Sequence, residues 1–219
     1  LQAWLDFDAT DGKPVVMRVA TSAVDVEGAK KNLASEISDF DFDAYTQKTY
    51  QHWNDELNRI NINTNINADD RDIFYTSLYH CFIVPNLFSD IDGRYRAHDK
   101  KIYQSDSPRY TVFSLWDTFR TEHPLLTLIQ RERSIDIINT FINNYETGGL
   151  LPVWELAANE TFCMIGYHAI PVIADAYFAG LEGIDYEKAL EAMVNSANQE
   201  HYGVGCYKEY GFIPSNCEG

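Results

Sequence analysis

The chain has 219 residues, of which 45% are hydrophobic, and it carries a formal net charge of −16. The length and hydrophobic content suffice for one large domain with a sizeable core. The acidity argues against nucleic acid as a partner, because phosphate binding needs a basic surface. No apolar run reaches the roughly 18 residues of a membrane-spanning helix, so the sequence predicts no membrane span.

The first 21 residues differ in pattern from the rest. The segments "LQAWLDFDA" and "PVVMRVATS" alternate between apolar and polar residues, and a turn at Asp11-Gly12 separates them, which predicts a β-hairpin. Because a lone hairpin is marginally stable, we expect residues 1–21 to be the C-terminal edge of a β-sheet domain. A start at Leu1 without Met or a signal peptide suggests a piece of a longer protein.

Residues 22–219 show mainly helical periodicity. We predict that Ser22 caps the first helix, that an Asp caps the third, that Gly148-Gly149 closes a later helix, and that Asn159 caps a helix beginning at Glu160. The predicted helices cover residues 23–37, 41–60, 63–85, 133–149, 160–181 and 185–200, and the tail 201–219 is predicted to be a loop. Helices in antiparallel pairs indicate an all-α array such as an (α/α) toroid, although periodicity alone does not separate a toroid from a bundle or a solenoid.

The four cysteines show neither a C-x-x-C pair nor a zinc spacing. Cys81 and Cys163 lie in apolar stretches and are predicted to be buried thiols. Cys206 and Cys217 flank a segment rich in tyrosine and glycine, where a disulfide is possible.

An acidic turn in "FSDIDGRYRAHD" contains Asp92 and Arg94. Asp-x-Asp-Gly resembles part of a calcium loop, but the remaining oxygen ligands and the closing Glu of that motif are missing. Two interpretations stay open: a turn held together by its own arginines, or a segment that faces a ligand.

Trp116, Asp117 and Arg120 stand together in "YTVFSLWDTFRTEHPLLTLI". An Asp–Arg pair three residues apart on a helix surface is worth only a few tenths of a kcal/mol. Burying the two charges unpaired would cost several kcal/mol. We therefore favour a position facing a cleft, where water or a ligand satisfies both charges, over simple pairing at a helix end.

The same combination of an indole and an acid recurs at Trp154 and Glu155, shortly before Glu160 and His168. The helix dipole alone could explain Glu160 in a first helical turn, and His168 taken alone is more often a core histidine. Aromatic rings stack on pyranose faces and carboxylates accept hydroxyl hydrogens, so the repeated pairing favours a sugar-binding cleft. Paired acids also carry out glycoside hydrolysis, for which Asp117 with Glu155 or Glu160 could be proposed from spacing alone.

Four stretches together resemble the glycoside hydrolase family 92 α-mannosidases across essentially the whole chain. They are "GAKKNLASEI", "YTSLYHCFIVPNLFSDIDGRYR", "YTVFSLWDTFRTEHPLLTLI" and "LLPVWELAANETFCMIGYHAIPVIADAY". The resemblance implies a β-sandwich edge over residues 1–21 and the first half of an (α/α)6 barrel over residues 22–219. It also implies an inverting, calcium-dependent exo-α-mannosidase that trims terminal mannose from N-glycans or mannans and is secreted or periplasmic in bacteria.

The segments that carry the acid, the base and calcium ligands in that family do not occur in this sequence, so the resemblance places them downstream of Gly219. It therefore casts six residues as contacts to the sugar, with Asp92, Arg94 and His168 as weaker candidates. The six are Trp116, Asp117, Arg120, Trp154, Glu155 and Glu160. The expected partners are a mannose-containing glycan and the remaining half of the same catalytic domain, so this segment alone should be inactive.

Two rival functions remain. A non-catalytic carbohydrate-binding protein could use the same helical array and would bind glycans without releasing product. A polysaccharide lyase is a third possibility, but its uronate substrates favour a basic cleft, which the charge of −16 makes less suitable.

Overall fold

Helices joined by irregular segments make up most of the regular structure. The computed structural model describes residues 4–8, 10–62, 66–201 and 203–217. In chain order its helices are α1 (Val26–Glu36), α2 (Phe42–Leu57), α3 (Ala68–His80), α4 (Leu115–Thr118), α5 (Glu122–Ile129), α6 (Arg131–Gly148), α7 (Ala169–Phe178), α8 (Tyr186–Ala197) and α9 (Val204–Tyr210). None of the helices in these ranges combines the length and hydrophobicity needed to cross a membrane.

Short strands of two or three residues pair in the segment between α3 and α7. They are β1 (Asn86–Leu87), β2 (Arg94–Arg96), β3 (Ile102–Gln104), β4 (Tyr110–Thr111), β5 (Phe113–Ser114) and β6 (Trp154–Glu155). Three antiparallel pairs form, namely β1 with β4, β2 with β3 and β5 with β6. The pair β5–β6 joins two segments that are far apart in the sequence.

The hydrophobic core lies among α5, α6, α7 and α8, which pack against one another. Phe113 at the start of β5 reaches into this core and meets Phe141 of α6 edge to face, with ring centroids 4.9 Å apart. Helix α2, in contrast, buries none of its residues. The core therefore anchors β5, and through it the segment of Trp116 and Asp117.

Helix α6 closes as predicted at the glycine pair. Gly149 adopts a left-handed conformation with φ 88°, and its N–H donates to the carbonyl of Tyr145 at 2.7 Å. The predicted caps of two earlier helices are wrong. Asp25 caps α1 by accepting from the Gly28 amide, and Asn67 caps α3. The hydroxyl of Ser22 instead donates to Asp90 at 2.7 Å, a contact that sequence spacing does not reveal.

The predicted N-terminal hairpin is not formed among the described residues of 1–21. No strand occurs over residues 4–8 or 10–21, and hydrophobic side chains such as Trp4 and Met17 are exposed. Residues 1–3 and 9 lie outside the described part. The physical reason is that a hairpin needs a further sheet or helix to cover its apolar face. The boundary between the two predicted domains stays a prediction.

The described helices form an open array and no closed barrel, so the toroid also stays a prediction.

The tail is not all loop, because α9 lies in it and a disulfide joins Cys206 in α9 to Cys217. Cys81 is partly buried, but Cys163 is exposed, so the prediction of a buried Cys163 thiol is wrong. Cys163 belongs to an irregular segment rather than to the predicted helix, which explains its exposure.

Candidate functional site

The two indole–acid segments of the sequence lie side by side in the structure. In the β5–β6 pair, Phe113 is opposite Glu155 and Ser114 is opposite Trp154. Helix α4 begins at Leu115, immediately after β5, and carries Trp116 and Asp117. A two-residue ladder thus holds together side chains that the sequence separates by a long helix.

Trp116 and Asp117 lie at the surface of this helix. The Trp116 side chain is 46% exposed, although its neighbour Leu115 is completely buried. Asp117 is exposed, and its carboxylate accepts a hydrogen bond from the Ser114 hydroxyl. An exposed indole can stack on the face of a sugar ring, and an exposed carboxylate can accept hydrogen bonds from its hydroxyl groups.

Arg120 is also exposed, and it does not pair with Asp117. Its guanidinium lies 5.3 Å from the centre of the Phe119 ring, which in turn packs against the His168 ring at 4.4 Å. Burial and the charge of Arg120 together lower the pKa of His168. His168 therefore lies next to the Trp116–Arg120 segment, just before α7.

Glu155 lies beneath this surface and is only 2% exposed. Its carboxylate accepts hydrogen bonds from the Thr111 hydroxyl at 2.8 Å, the Val112 amide at 3.2 Å and the Ala158 amide at 2.7 Å. Removal from water raises the pKa of Glu155 to about 7, and these hydrogen bonds oppose the rise. A carboxylate so enclosed is placed to hold the protein backbone.

His98 is the nearest basic side chain to Glu155. The distance between its Nε2 and Oε1 of Glu155 is 3.9 Å, and burial lowers the pKa of His98. Gly148 makes room for the imidazole, because a Cβ at that position would lie 2.8 Å from Nδ1. The glycine pair that ends α6 thus also allows a histidine to approach Glu155.

Glu160, like Glu155, binds backbone amides through its carboxylate. Its carboxylate accepts hydrogen bonds from the Val153 amide at 2.8 Å and from the Trp154 and Phe162 amides at 2.9 Å. The prediction that Asn159 caps a helix starting at Glu160 is wrong, since Glu160 forms a β-bridge with Glu155 and the next helix, α7, begins only at Ala169. The Glu160 carboxylate thus binds two amides that precede it in the sequence and one that follows it.

Unusual backbone conformations cluster around these two acids. Four non-glycine residues there have positive φ angles. They are Val112 (69°), Ala157 (49°), Ala158 (61°) and Phe162 (51°). Their amides donate to the Glu155 carboxylate, the Thr111 hydroxyl or the Glu160 carboxylate. Strained non-glycine conformations of this kind concentrate at functional sites, where the surroundings hold them in place.

Asp92 and Arg94 belong to a network of ion pairs that joins the acidic turn to α1. Arg94 donates to Asp92 at 2.9 Å and to the α1 cap Asp25 at 2.9 Å, while Lys31 of α1 also donates to Asp92. The Lys31 hydrogen bond, with help from Arg94, lowers the pKa of Asp92 to about 2. These contacts fit the interpretation of an acidic turn held together by basic side chains. Among the described residues, no group of His, Cys, Asp or Glu is suited to a metal.

Sequence reasoning missed Thr111, Ser114 and Lys100. Thr111 donates to Glu155, Ser114 donates to Asp117, and Lys100 donates through its Nζ to the carbonyl of Ala158. Nothing in the local pattern marks them, because their contacts depend on pairing between distant segments.

The comparison with protein families matches the glycosyl hydrolase family 92 catalytic domain over residues 28–219. Among curated proteins the comparison finds no match. Among solved structures, the family GH92 α-mannosidase BT3965 from Bacteroides thetaiotaomicron matches with 38% identity and a TM-score of 0.83, over 90% of this chain and 27% of that one. The same enzyme in complex with mannoimidazole matches equally well, over 26% of its chain.

A second solved structure, the Family GH92 Inverting Mannosidase BT2199 from Bacteroides thetaiotaomicron VPI-5482, is 30% identical, with a TM-score of 0.80. The match covers 89% of this chain and 28% of that one, so the chain spans about a quarter of the length of these relatives. The family match covers most of the chain, and the structural matches carry the same family name. The chain belongs to glycosyl hydrolase family 92.

Proposed function

We propose that this chain is the part of an exo-α-mannosidase that holds the terminal mannose of its substrate. The observation that carries the proposal is the β5–β6 pair, which sets the exposed Trp116 and Asp117 beside the segment of Trp154. The 38% identity to an α-mannosidase supports mannose as the sugar. The substrates would be terminal mannose residues of N-glycans or mannans, with an α-1,2 linkage as the first candidate.

Within the proposed site the six predicted residues divide into two groups. Trp116, Asp117, Arg120 and Trp154 would contact the sugar, because each is at least partly exposed. Glu155 and Glu160 would support them, because their carboxylates bind backbone amides. Stacking on the indole would orient the pyranose, and the Asp117 carboxylate would accept a hydroxyl hydrogen.

An inverting mechanism would need a carboxylic acid and a second carboxylate about 6.5–9.5 Å apart, with water between them. The 30% identity to an inverting mannosidase supports this outcome. Glu155 is too enclosed to activate water, and Asp117 alone cannot supply both roles. As the family resemblance implies, the acid and the base would belong to another part of the longer enzyme, since this chain spans about a quarter of the length of its relatives.

The described residues contain no group of three or more His, Cys, Asp or Glu side chains that could hold a metal ion. Asp92, the acid of the calcium-like turn, is already engaged with Lys31 and Arg94. As the family resemblance implies, we propose that the enzyme uses calcium and that its ligands lie in another part of the longer enzyme. We also propose a secreted or periplasmic location, which the Cys206–Cys217 disulfide supports because such bonds persist in oxidising compartments.

The test is hydrolysis of α-1,2-mannobiose by the full-length enzyme that contains this segment, with and without a chelator. Release of mannose, followed by NMR to record inversion at the anomeric carbon, is the expected result. Glycan binding without release would overturn the proposal in favour of a carbohydrate-binding protein. The 219-residue segment assayed alone should show no turnover.

A further inference from the structure

We infer that Glu155 is a positioning residue that fixes the backbone presenting Trp116, Asp117 and Trp154 to the sugar. The inference rests on the proposed function of this surface. Its basis is geometric: one buried carboxylate joins both segments that form the β5–β6 pair.

The contacts of Glu155 cross between the two segments in a closed cycle. On the β5 side it accepts from the Thr111 hydroxyl and the Val112 amide, and on the β6 side from the Ala158 amide. The Thr111 hydroxyl in turn accepts from the Ala157 amide at 2.7 Å. Each segment is therefore bound to the other by hydrogen bonds besides those of the two-residue ladder.

The two residues whose amides donate to Glu155 have strained backbone conformations. Val112 and Ala158 have φ angles of 69° and 61°, a region that non-glycine residues avoid. Val112 immediately precedes β5, so any change in its conformation would rotate the strand that leads to Trp116 and Asp117. Loss of the acceptor would leave a partly buried amide unpaired and release this strain.

A carboxylate has the acceptor capacity that this position requires. Its two oxygens receive three donors, whereas a glutamine offers one oxygen and an amide group that itself donates. Glu155→Gln therefore keeps the size of the side chain but places a donor against another donor. The charged and titratable groups around Glu155 are His98 at 3.9 Å and Glu160 across the β-bridge, together with those that line the same cavity of about 10 Å³, namely Tyr95, Arg96, Arg109 and Tyr110.

Thr111 supplies a milder and independent test of the same network. Thr111→Val retains the shape and removes the hydroxyl that links Glu155 to Ala157, while Thr111→Ser retains the hydroxyl. Glu122→Gln is a matched control, because Glu122 is a mostly buried acid outside this network. All four variants are to be made in the full-length enzyme.

The readouts are kcat and KM on α-1,2-mannobiose and hydrogen exchange over residues 110–117 and 153–158. We expect Glu155→Gln and Thr111→Val to raise KM by about 10- to 100-fold, with a smaller change in kcat, because displacement of about 1 Å at a binding group can cost about that factor. Their effects should not add in the double variant. Thr111→Ser and Glu122→Gln should leave KM within about twofold of the parent.

Unchanged KM in both Glu155→Gln and Thr111→Val, with an active parent, would overturn the inference. An inactive parent would refute the proposed function instead, and hydrogen exchange would then decide the positioning role separately. Faster exchange over both segments in both variants supports that role, and unchanged exchange overturns it. If Glu155→Gln fails to fold, the comparison of Thr111→Val with Thr111→Ser decides the question by the same criteria.

Discussion

Ser114 and Trp154 lie opposite each other in the antiparallel β5–β6 pair. Ser114 also donates a hydrogen bond to Asp117, so one residue links the ladder to the exposed carboxylate. The proposed sugar-holding surface is therefore a direct extension of a strand pair anchored in the core by Phe113.

Replacing Trp116 with alanine should weaken sugar binding with little effect on folding. Because the indole is 46% exposed, its loss should reduce the free energy of unfolding by less than about 1 kcal/mol. Loss of the stacking surface should lower kcat/KM on α-1,2-mannobiose by about tenfold, equivalent to roughly 1.4 kcal/mol. Tyr50→Ala, at an exposed position on α2, is the control. Equal activity of parent and Trp116→Ala would contradict the stacking role.

Where amphipathic periodicity and local caps agreed, the sequence was sufficient to predict helices. Helix α6 ends at the predicted glycine pair, and α8 runs from Tyr186 to Ala197 within the predicted segment. In both cases the signal lies within one stretch of chain, so no distant contact is needed to specify the element.

The sequence could not predict features that depend on distant partners. The apolar stretch after Glu160 begins no helix before Ala169, and Glu160 instead pairs with Glu155, which lies opposite Phe113 of β5. Two-residue strands such as β5 and β6 are too short to show a period. The exposure of Trp116 was predictable from its charged neighbours in the sequence. The burial of Glu155 was not, because it depends on contacts with the distant Thr111 and Val112.

Replacing Gly28 with alanine should disrupt the contact between α1 and the acidic turn. A Cβ at this position would lie 2.1 Å from Oδ2 of Asp90 and 2.7 Å from the hydroxyl of Ser22. Asp90 is buried and also accepts from Asn32, so it has little room to move. We expect a loss of about 1–3 kcal/mol in the free energy of unfolding, measured by urea denaturation.

Ser35→Ala, at an exposed position on α1, controls for the gain in helix propensity that alanine brings. This control should be neutral or slightly stabilising. A Gly28→Ala variant as stable as the parent would mean that Asp90 moves freely and that the close packing of α1 on the turn contributes nothing to stability.

Glu122→Gln should change the pH dependence of stability. Burial raises the pKa of Glu122 from its ordinary value of 4.5 to about 7, so the folded protein resists its ionisation. The resulting penalty is absent below pH 4.5, grows as the pH rises, and is complete above pH 7. The variant avoids it, so its free energy of unfolding relative to the parent should increase between pH 5 and pH 8 by up to about 3 kcal/mol.

The comparison of variant with parent isolates Glu122 because other shifted groups are common to both. Glu155 has a pKa of about 7 and His123, lowered by burial, about 4, and the two affect the absolute stability in opposite directions. Glu187→Gln, at an exposed position on α8, controls for the replacement of an acid by an amide. A pH-independent difference between Glu122→Gln and the parent would show that the Glu122 carboxyl is hydrated in the folded state.

Removing the disulfide should loosen the C-terminal helix without unfolding the core. The bond between Cys206 and Cys217 closes a segment with a sequence separation of 11 residues around α9. Chain entropy gives such a closure a stabilisation of about 2–3 kcal/mol. We expect Cys206→Ser/Cys217→Ser to be cleaved by trypsin at Lys208 at least about tenfold faster, in proportion to the larger open population.

Cys163→Ser is the matched control, since Cys163 is exposed and forms no disulfide. It should leave the cleavage rate at Lys208 unchanged. Equal cleavage of the double variant and the parent would indicate that the contacts of α9, including the hydrogen bond from Lys208 to Glu200, hold the helix on their own.

Glu160→Gln should loosen the segment that carries Trp154 while leaving the core intact. The carboxylate accepts from three amides, and a glutamine can accept at only one oxygen, so at least one of these amides loses its partner. Each unpaired amide costs about 1–3 kcal/mol. Hydrogen exchange at Val153, Trp154 and Phe162 should accelerate accordingly, while exchange in α6 stays at the parent rate. Unchanged exchange at all three amides would show that the β5–β6 ladder alone determines this conformation, and Glu160 would then be free to contact the sugar directly.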